Sequence, residues 1–210
     1  MKLAKRSRMS TDARREQLLA AGAELLGRRP YDEVSIEEIA AAAGVSKGLL
    51  YHYFPTKQDF VLAALERGER ELTELTAPDP ELDPADQLSF GIDRFLDFVE
   101  EHSVAYTAIF RSRGGGEPAI QRTLERHRRE RLESLIDSLV EWETAPVEVA
   151  RTPLLETAVQ GWIFFVEGAV LHWLESDGVS REELRELLAQ ALLGTLQAVD
   201  AAKLGAETPR

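Results

Sequence analysis

Apolar residues recur at three- and four-residue intervals along nearly the whole chain, which predicts an all-helical protein. Leu18, Leu19, Ala23, Leu25 and Leu26 set the inward stripe of a first helix, from Asp12 to about Arg28 behind a Thr11 cap. After the Pro30–Val34 loop comes a short helix starting at Ile36. Ser35 is a favourable N-cap, and Glu38 three residues on completes a capping box. Ile36, Ile39, Ala40 and Ala43 give that helix one apolar face, and Gly44 ends it as the residue best able to take positive φ. Val45 plugs the turn, and Ser46 caps a second short helix, Lys47 to about Tyr53, whose Leu50 and Phe54 point back at the first. Ala40 and Gly44 are small where the two helices must cross, as a helix-turn-helix requires. Thr56 caps the next helix, with Phe60, Val61, Ala64 and Leu65 buried; it runs unbroken to about Thr76.

Pro78, Pro80 and Pro84 in APDPELDP cannot continue a helix and mark a linker. Asp83 then caps a helix with Pro84 at its first position, running to about Glu101 with Leu88, Ile92, Phe95, Leu96 and Val99 inward. A shorter helix over Ser103–Arg111 carries Tyr106, Ile109 and Phe110. Gly114–Gly115–Gly116 reads as a flexible turn, since no Lys-Ser/Thr pair follows and no strand precedes it. Pro118 opens a long helix to about Trp142. Its basic stretch Arg122–Arg131 reads as a solvated face with Glu125–Arg129 and Arg126–Glu130 pairs rather than a second nucleic-acid surface, and His127 as a surface histidine. Thr152-Pro153 starts a helix to about Ser176 that is apolar nearly all round and must be covered on both sides. One strip holds Ala158, Gly161, Gly168 and Ala169, another Trp162, Phe165 and Trp173. The last helix, Ser180 to about Ala202, repeats Leu184, Leu187, Leu188, Ala191, Leu192, Leu196 and Val199, and from Ala198 the chain fades into a polar tail. These two helices suit half of an antiparallel four-helix interface with a second copy; a monomeric core is the alternative.

Charge sharpens the picture. The 210-residue chain has a net charge of −12, yet residues 1–58 hold 10 basic and 7 acidic side chains and residues 59–210 hold 15 and 30. A basic segment of +3 is thus joined to a body of −15 that DNA would repel, which helps orient the basic end. The outward face of the second short helix offers a cation, a bare backbone, an apolar contact and three amphipathic rings: Lys47, Gly48, Leu49, Tyr51, His52 and Tyr53. Entering a major groove N-terminus first, it would bring Lys47, Gly48 and Leu49 nearest base edges, and Tyr51, His52 and Tyr53 nearer phosphates. Lys57 and the amides at the start of the following helix make a phosphate clamp. With the capping residues Ser35 and Ser46, these form the expected DNA-contacting set. Lys2, Lys5, Arg6 and Arg8 suit an arm on phosphates or the minor groove, though free of DNA they read as a disordered tail.

The run AAAAGVSKGLLYHYFPTKQDF resembles the signature of the tetracycline-repressor (TetR) family of bacterial regulators, above all in G-V-S-K-G-x-L-Y-x-Y-F-x-x-K. The resemblance covers about Thr11 to Leu65; beyond it, only the all-helical pattern and length agree. It implies a dimeric DNA-binding repressor released by a small molecule, with Lys47, Gly48, Tyr51, His52, Tyr53 and Lys57 at positions where family members contact DNA. Glu37 departs from the pattern, being acidic near the groove where some members carry a basic residue, which weighs against a direct base contact from the first helix. The implied organisation is a DNA-reading domain over residues 1–56 and an effector-binding and dimerisation domain over 57–210, connected by a helix over about 57–76. The dimer would form through about 153–176 and 180–202. The family and the aromatic composition point to Phe95, Phe98, Tyr106, Phe110, Trp162 and Phe165 as pocket-lining candidates for an apolar or aromatic effector. Glu167, inside FFVEGAV, would need a cationic partner or ligand if buried, or a partner across the dimer.

Composition excludes much else. There is no cysteine, hence no disulfide or thiolate metal site, and four scattered histidines weigh against a metal centre. No nucleophile–base constellation or cofactor loop is visible, so neither an enzyme nor a cofactor is expected. The apolar run Leu154–Leu174 is interrupted by Glu156, Gln160, Glu167 and His172, and the basic start lacks the apolar segment of a signal peptide, so a cytoplasmic protein without membrane contact is expected. The competing readings are a helical small-molecule carrier, which leaves Lys47–Lys57 unexplained, and a transcriptional activator.

Overall fold

The computed structural model describes residues 10–26, 28–29, 33–79, 81–111, 117–142 and 149–206. Among these there are nine helices and no strand: α1 (Thr11–Leu26), α2 (Ile36–Ala42), α3 (Lys47–Tyr53), α4 (Lys57–Leu75), α5 (Pro84–Glu101), α6 (Ser103–Arg111), α7 (Pro118–Val140), α8 (Pro153–Glu175) and α9 (Arg181–Ala206). The expected basic arm (Lys2, Lys5, Arg6, Arg8), Pro30, Pro80 and the triple glycine lie outside the described residues. The helices fall into two compact units, one of residues up to Arg70 with His102–Ile120, the other of Glu71–Glu101 with residues from Gln121 on.

In the first unit, Leu18 and Leu19 of α1, Ile39 of α2, Leu50 of α3, Phe54 and Phe60 are fully buried. The Phe54 and Phe60 rings meet edge to face at 4.9 Å, and the Arg15 guanidinium lies 5.2 Å above Phe54. Burying each such aromatic is worth about 1.5–3 kcal/mol. Gly22 lets α1 come close: a Cβ there would lie 2.2 Å from Phe60 Cζ and 3.0 Å from Ile39 Cγ2. The cap of α1 is Ser10 rather than the expected Thr11. Ser10 Oγ accepts from Ala13 N–H at 3.1 Å and its carbonyl from Arg14 N–H at 3.0 Å, so Thr11 already lies within the helix.

In the second unit, Ile136 and Leu139 of α7, Leu155, Val159 and Ile163 of α8, and Leu192, Leu196 and Val199 of α9 form one core. Arg181 of α9 bridges Asp97 and Glu100 of α5, each at 2.6 Å, and donates to the Asp93 carbonyl at 2.8 Å. Thr152 caps α8 through Leu155 N–H at 3.2 Å, with Pro153 at its first position. Helix α8 is long and apolar enough to cross a membrane by length and composition alone, contrary to the sequence reading of this run. Its inward stripe is instead spent on α7 and α9.

Two further expectations change, His127 at the surface and the polar tail after Ala198, while the cationic partner that a buried Glu167 wants is found within the chain. His127 is buried, at 2% exposure, not a surface group, because its position on α7 faces inward beside the buried stripe; its ring Nε2 lies 3.2 Å from Arg126 Nη2. Glu167 is buried at 4%, and its partner is within the chain: Arg128 Nε donates to its Oε1 at 3.2 Å. Finally, α9 continues to Ala206, so the segment read as a fading tail remains helical for further turns; Val199 is still buried there.

Candidate nucleic-acid interface

Each end of the two short helices is closed by its own sequence. At the start of α2, Ser35 Oγ accepts from Glu38 N–H at 3.2 Å, while Glu38 Oε2 accepts from Ser35 N–H and Oγ–H, both at 2.8 Å. Arg29 donates to the other oxygen of Glu38. The Ser35 backbone N–H, then the Arg29 guanidinium and the Ser35 hydroxyl, hold the Glu38 carboxyl at about 2. At the end of α2, Gly44 takes φ +65°. Gly44 N–H donates to the Ala41 carbonyl at 3.0 Å and Val45 N–H to that of Ala40 at 2.9 Å, the paired bonds of a Schellman motif. Ser46 Oγ then accepts from Leu49 N–H at 3.2 Å and starts α3. A second capping box opens α4: Thr56 Oγ1 accepts from Asp59 N–H and Asp59 Oδ2 from Thr56 N–H, each at 3.0 Å. Asp59 escaped the sequence reading, although Thr-x-x-Asp was its signal.

With Leu50 and Phe54 turned inward, the opposite face of α3 is open. Ser46, Lys47, Gly48, Tyr51 and His52 are exposed; Ser35, Leu49, Tyr53 and Lys57 are half-buried. The Lys47 ammonium lies 5.6 Å from the Tyr51 ring centroid, and the His52 and Tyr53 rings meet edge to face at 5.4 Å. Sequence reasoning missed the partner of Lys47, the carboxylate of Glu37 across the turn, to which its ammonium donates. Ten residues separate the two, so no helical spacing announces the pair. The surface thus combines a cation, open backbone and hydrogen-bonding rings on a helix held rigidly by its caps, which is the chemistry that phosphate and base edges require.

The expected pocket residues are not all brought together. Trp162 and Phe165 line an open groove between α8 and α9 with Leu154, Ala158, Ala191 and Ala198, and Trp162 Nε1–H donates to the Leu188 carbonyl at 3.0 Å. Tyr106 and Phe110 stack with ring centroids 4.4 Å apart on α6, while Phe95 and Phe98 are half-buried on α5.

Comparison with known proteins agrees with this geometry. Residues 18–64 match the family model described as bacterial regulatory proteins, tetR family, and residues 84–194 match that of the tetracyclin repressor-like C-terminal domain. A TetR-family transcriptional regulator from Streptomyces coelicolor of known structure is 32% identical, with a TM-score of 0.77 over 94% of this chain and 87% of that one. The HTH-type transcriptional activator FasR of Mycolicibacterium smegmatis is 35% identical over 121 residues, 54% of this chain and 53% of FasR. The HTH-type transcriptional repressor NemR of Escherichia coli is 42% identical over 65 residues, 29% of this chain and 33% of NemR. The matched region spans about half the length of FasR and a third of NemR. Since the C-terminal match alone covers more than half of the chain and the N-terminal one contains the whole helix-turn-helix, the chain belongs to the TetR family of DNA-binding transcriptional regulators.

Proposed function

We propose that the chain is a homodimeric repressor that reads a palindromic operator with residues 1–56 and is released by a small apolar or aromatic effector bound within residues 57–210. The observation that carries the dimer is the outer seam of α8 and α9. On α8, Leu154, Ala158, Gly161, Phe165 and Gly168 follow one another at intervals of four and three, and on α9 so do Leu187, Ala191, Gly194 and Ala198. Leu154, Phe165 and Leu187 are 45%, 40% and 50% exposed. A Cβ at Gly161, Gly168 or Gly194 would meet nothing within 4 Å. Each mid-helix glycine costs about 1 kcal/mol relative to alanine, and among the described residues no close packing at these three positions offsets that. A second copy crossing closely over the seam supplies the reason for small residues there.

A two-fold pair of α3 helices would meet half-sites about 34–36 Å apart. Ser35, Ser46, Lys47, Gly48, Leu49, Tyr51, His52, Tyr53 and Lys57 are assigned to the DNA contact, and the acidic body turns the basic readers toward it. Phe95, Phe98, Tyr106, Phe110, Trp162, Phe165 and Glu167 remain the candidate effector contacts. An effector that prefers a body conformation misplacing the two readers weakens DNA binding, and DNA weakens the effector reciprocally, typically by about 1–3 kcal/mol. Such a regulator works in the cytoplasm. FasR, an activator by name, supports the opposite sign of regulation as a second reading. Transcription from a promoter carrying the bound duplex decides between them. The protein lowers output if it represses, and aromatic compounds restore it; a rise in output identifies an activator.

A further inference from the structure

Glu37 and Lys47 form an ion pair across the helix-turn-helix, joining the first turn of α2 to the first residue of α3. Both side chains are about half exposed, at 55% and 53%, and the ammonium also sits over the Tyr51 ring. Exposed pairs of this kind contribute little to stability, and the caps and the Schellman turn already fix the two helices, so the fold does not need this one. Its position is what matters. Lys47 is the cation at the leading end of the helix that enters DNA, and the bridge cancels its charge. We infer that Glu37 is a specificity-determining residue that competes with DNA for Lys47: the bridge survives on random duplex and is exchanged only where the groove offers the ammonium a better acceptor.

The physical basis is the division between phosphate and base contacts. A free lysine adds sequence-independent affinity by displacing counterions, about 0.9 to the logarithmic salt slope for each phosphate neutralised. A lysine held by a carboxylate does not, until an acceptor such as the O6/N7 edge of guanine replaces the carboxylate. Glu37 therefore lowers non-specific binding more than specific binding, which is what raises the ratio that matters among many competing sites. The hydrogen bond from Lys47 holds the Glu37 carboxyl below its ordinary value, and the same bond holds the Lys47 ammonium above its own, so both stay charged around neutrality.

The proposal rests on the reading that α3 enters DNA, and the test separates the two. Wild type, Glu37→Gln, Lys47→Gln and the double variant are titrated by fluorescence anisotropy onto a random-sequence duplex and onto a duplex selected by the wild type, between about 50 and 200 mM salt. On random duplex Glu37→Gln should steepen the slope by about one per reader, or about two for a two-fold complex, an added tightening of about tenfold across that range. Its preference for the selected duplex should fall correspondingly. In the Lys47→Gln background the same substitution should have little effect. A full-sized effect in that background would mean that Glu37 acts as a general anion, and would overturn the proposal. So would a Glu37→Gln protein matching wild type in slope and preference while wild type binds its duplex normally. A folded wild type that binds neither duplex would overturn the underlying reading as well.

Discussion

Lys57 stands at the first position of α4, beside the Thr56–Asp59 box that opens the helix. A cation there neutralises a phosphate without reading a base, so Lys57→Ala should weaken binding almost uniformly across sequences and lower the salt slope by about one per reader. Tyr51→Ala on the open face of α3 should weaken binding while leaving folding and dimerisation intact. An unchanged affinity and slope for Lys57→Ala would remove that residue from the interface. Glu38 has a different consequence. Its carboxyl is lowered from 4.5 to about 2, so its contribution to folding is complete above 4.5 and is lost as pH falls toward 2. The stability difference between wild type and Glu38→Gln should therefore shrink on acidification through that window. Ser35→Ala should cost about 1 kcal/mol at neutral pH. A Glu38→Gln difference that stays constant from neutrality to pH 2, followed by thermal melting, would show that the Glu38 charge contributes no stabilisation.

At the scale of elements, the starts of both short helices at Ile36 and Lys47 were legible because their signals are local. Ser35 and Glu38, Gly44, and Ser46 each set a boundary through hydrogen bonds to the nearest turn. Ser10 was missed for a related reason: two adjacent hydroxyls, Ser10 and Thr11, can both cap, and the choice between them depends on where α1 must place Leu18, Leu19 and Gly22 against α2 and α4. Long-range partners left no local mark, so neither the Arg128–Glu167 pair, 39 residues apart, nor the inward face of His127 could be read from spacing alone. The α8–α9 seam lies between these cases. Its small residues were visible in the sequence, but that a Cβ at Gly161, Gly168 or Gly194 would meet nothing within 4 Å among the described residues was not. Gly161→Ala or Gly194→Ala should raise the helical stability of a single chain by about 1 kcal/mol while weakening association, and a bulkier Leu at either position should separate the copies. Sedimentation equilibrium tests this; a chain that is monomeric across the micromolar range, or a dimer indifferent to Leu at both sites, would remove the seam from the interface.

The whole molecule joins a segment of +3 to a body of −15, and the sequence divides its chemistry along the same line. The Ser35, Ser46 and Thr56 caps, the Gly44 turn and the exposed Lys47, Tyr51 and His52 lie in the first 58 residues, whereas Arg181 with its three α5 carboxylates and the Arg128–Glu167 pair tie helices of the body together. In the proposed dimer, recognition by two short readers needs the body to fix their separation, which would make the form of the preferred DNA site a readout of the assembly as well as of α3. Selection of bound duplexes from a random pool by the purified protein, at moderate salt over several rounds, tests this directly. Enrichment of one palindrome, with half-sites one helical turn or a multiple of it apart, is the predicted result. Failure of a folded, dimeric protein to enrich any sequence, with and without aromatic compounds present, would contradict it.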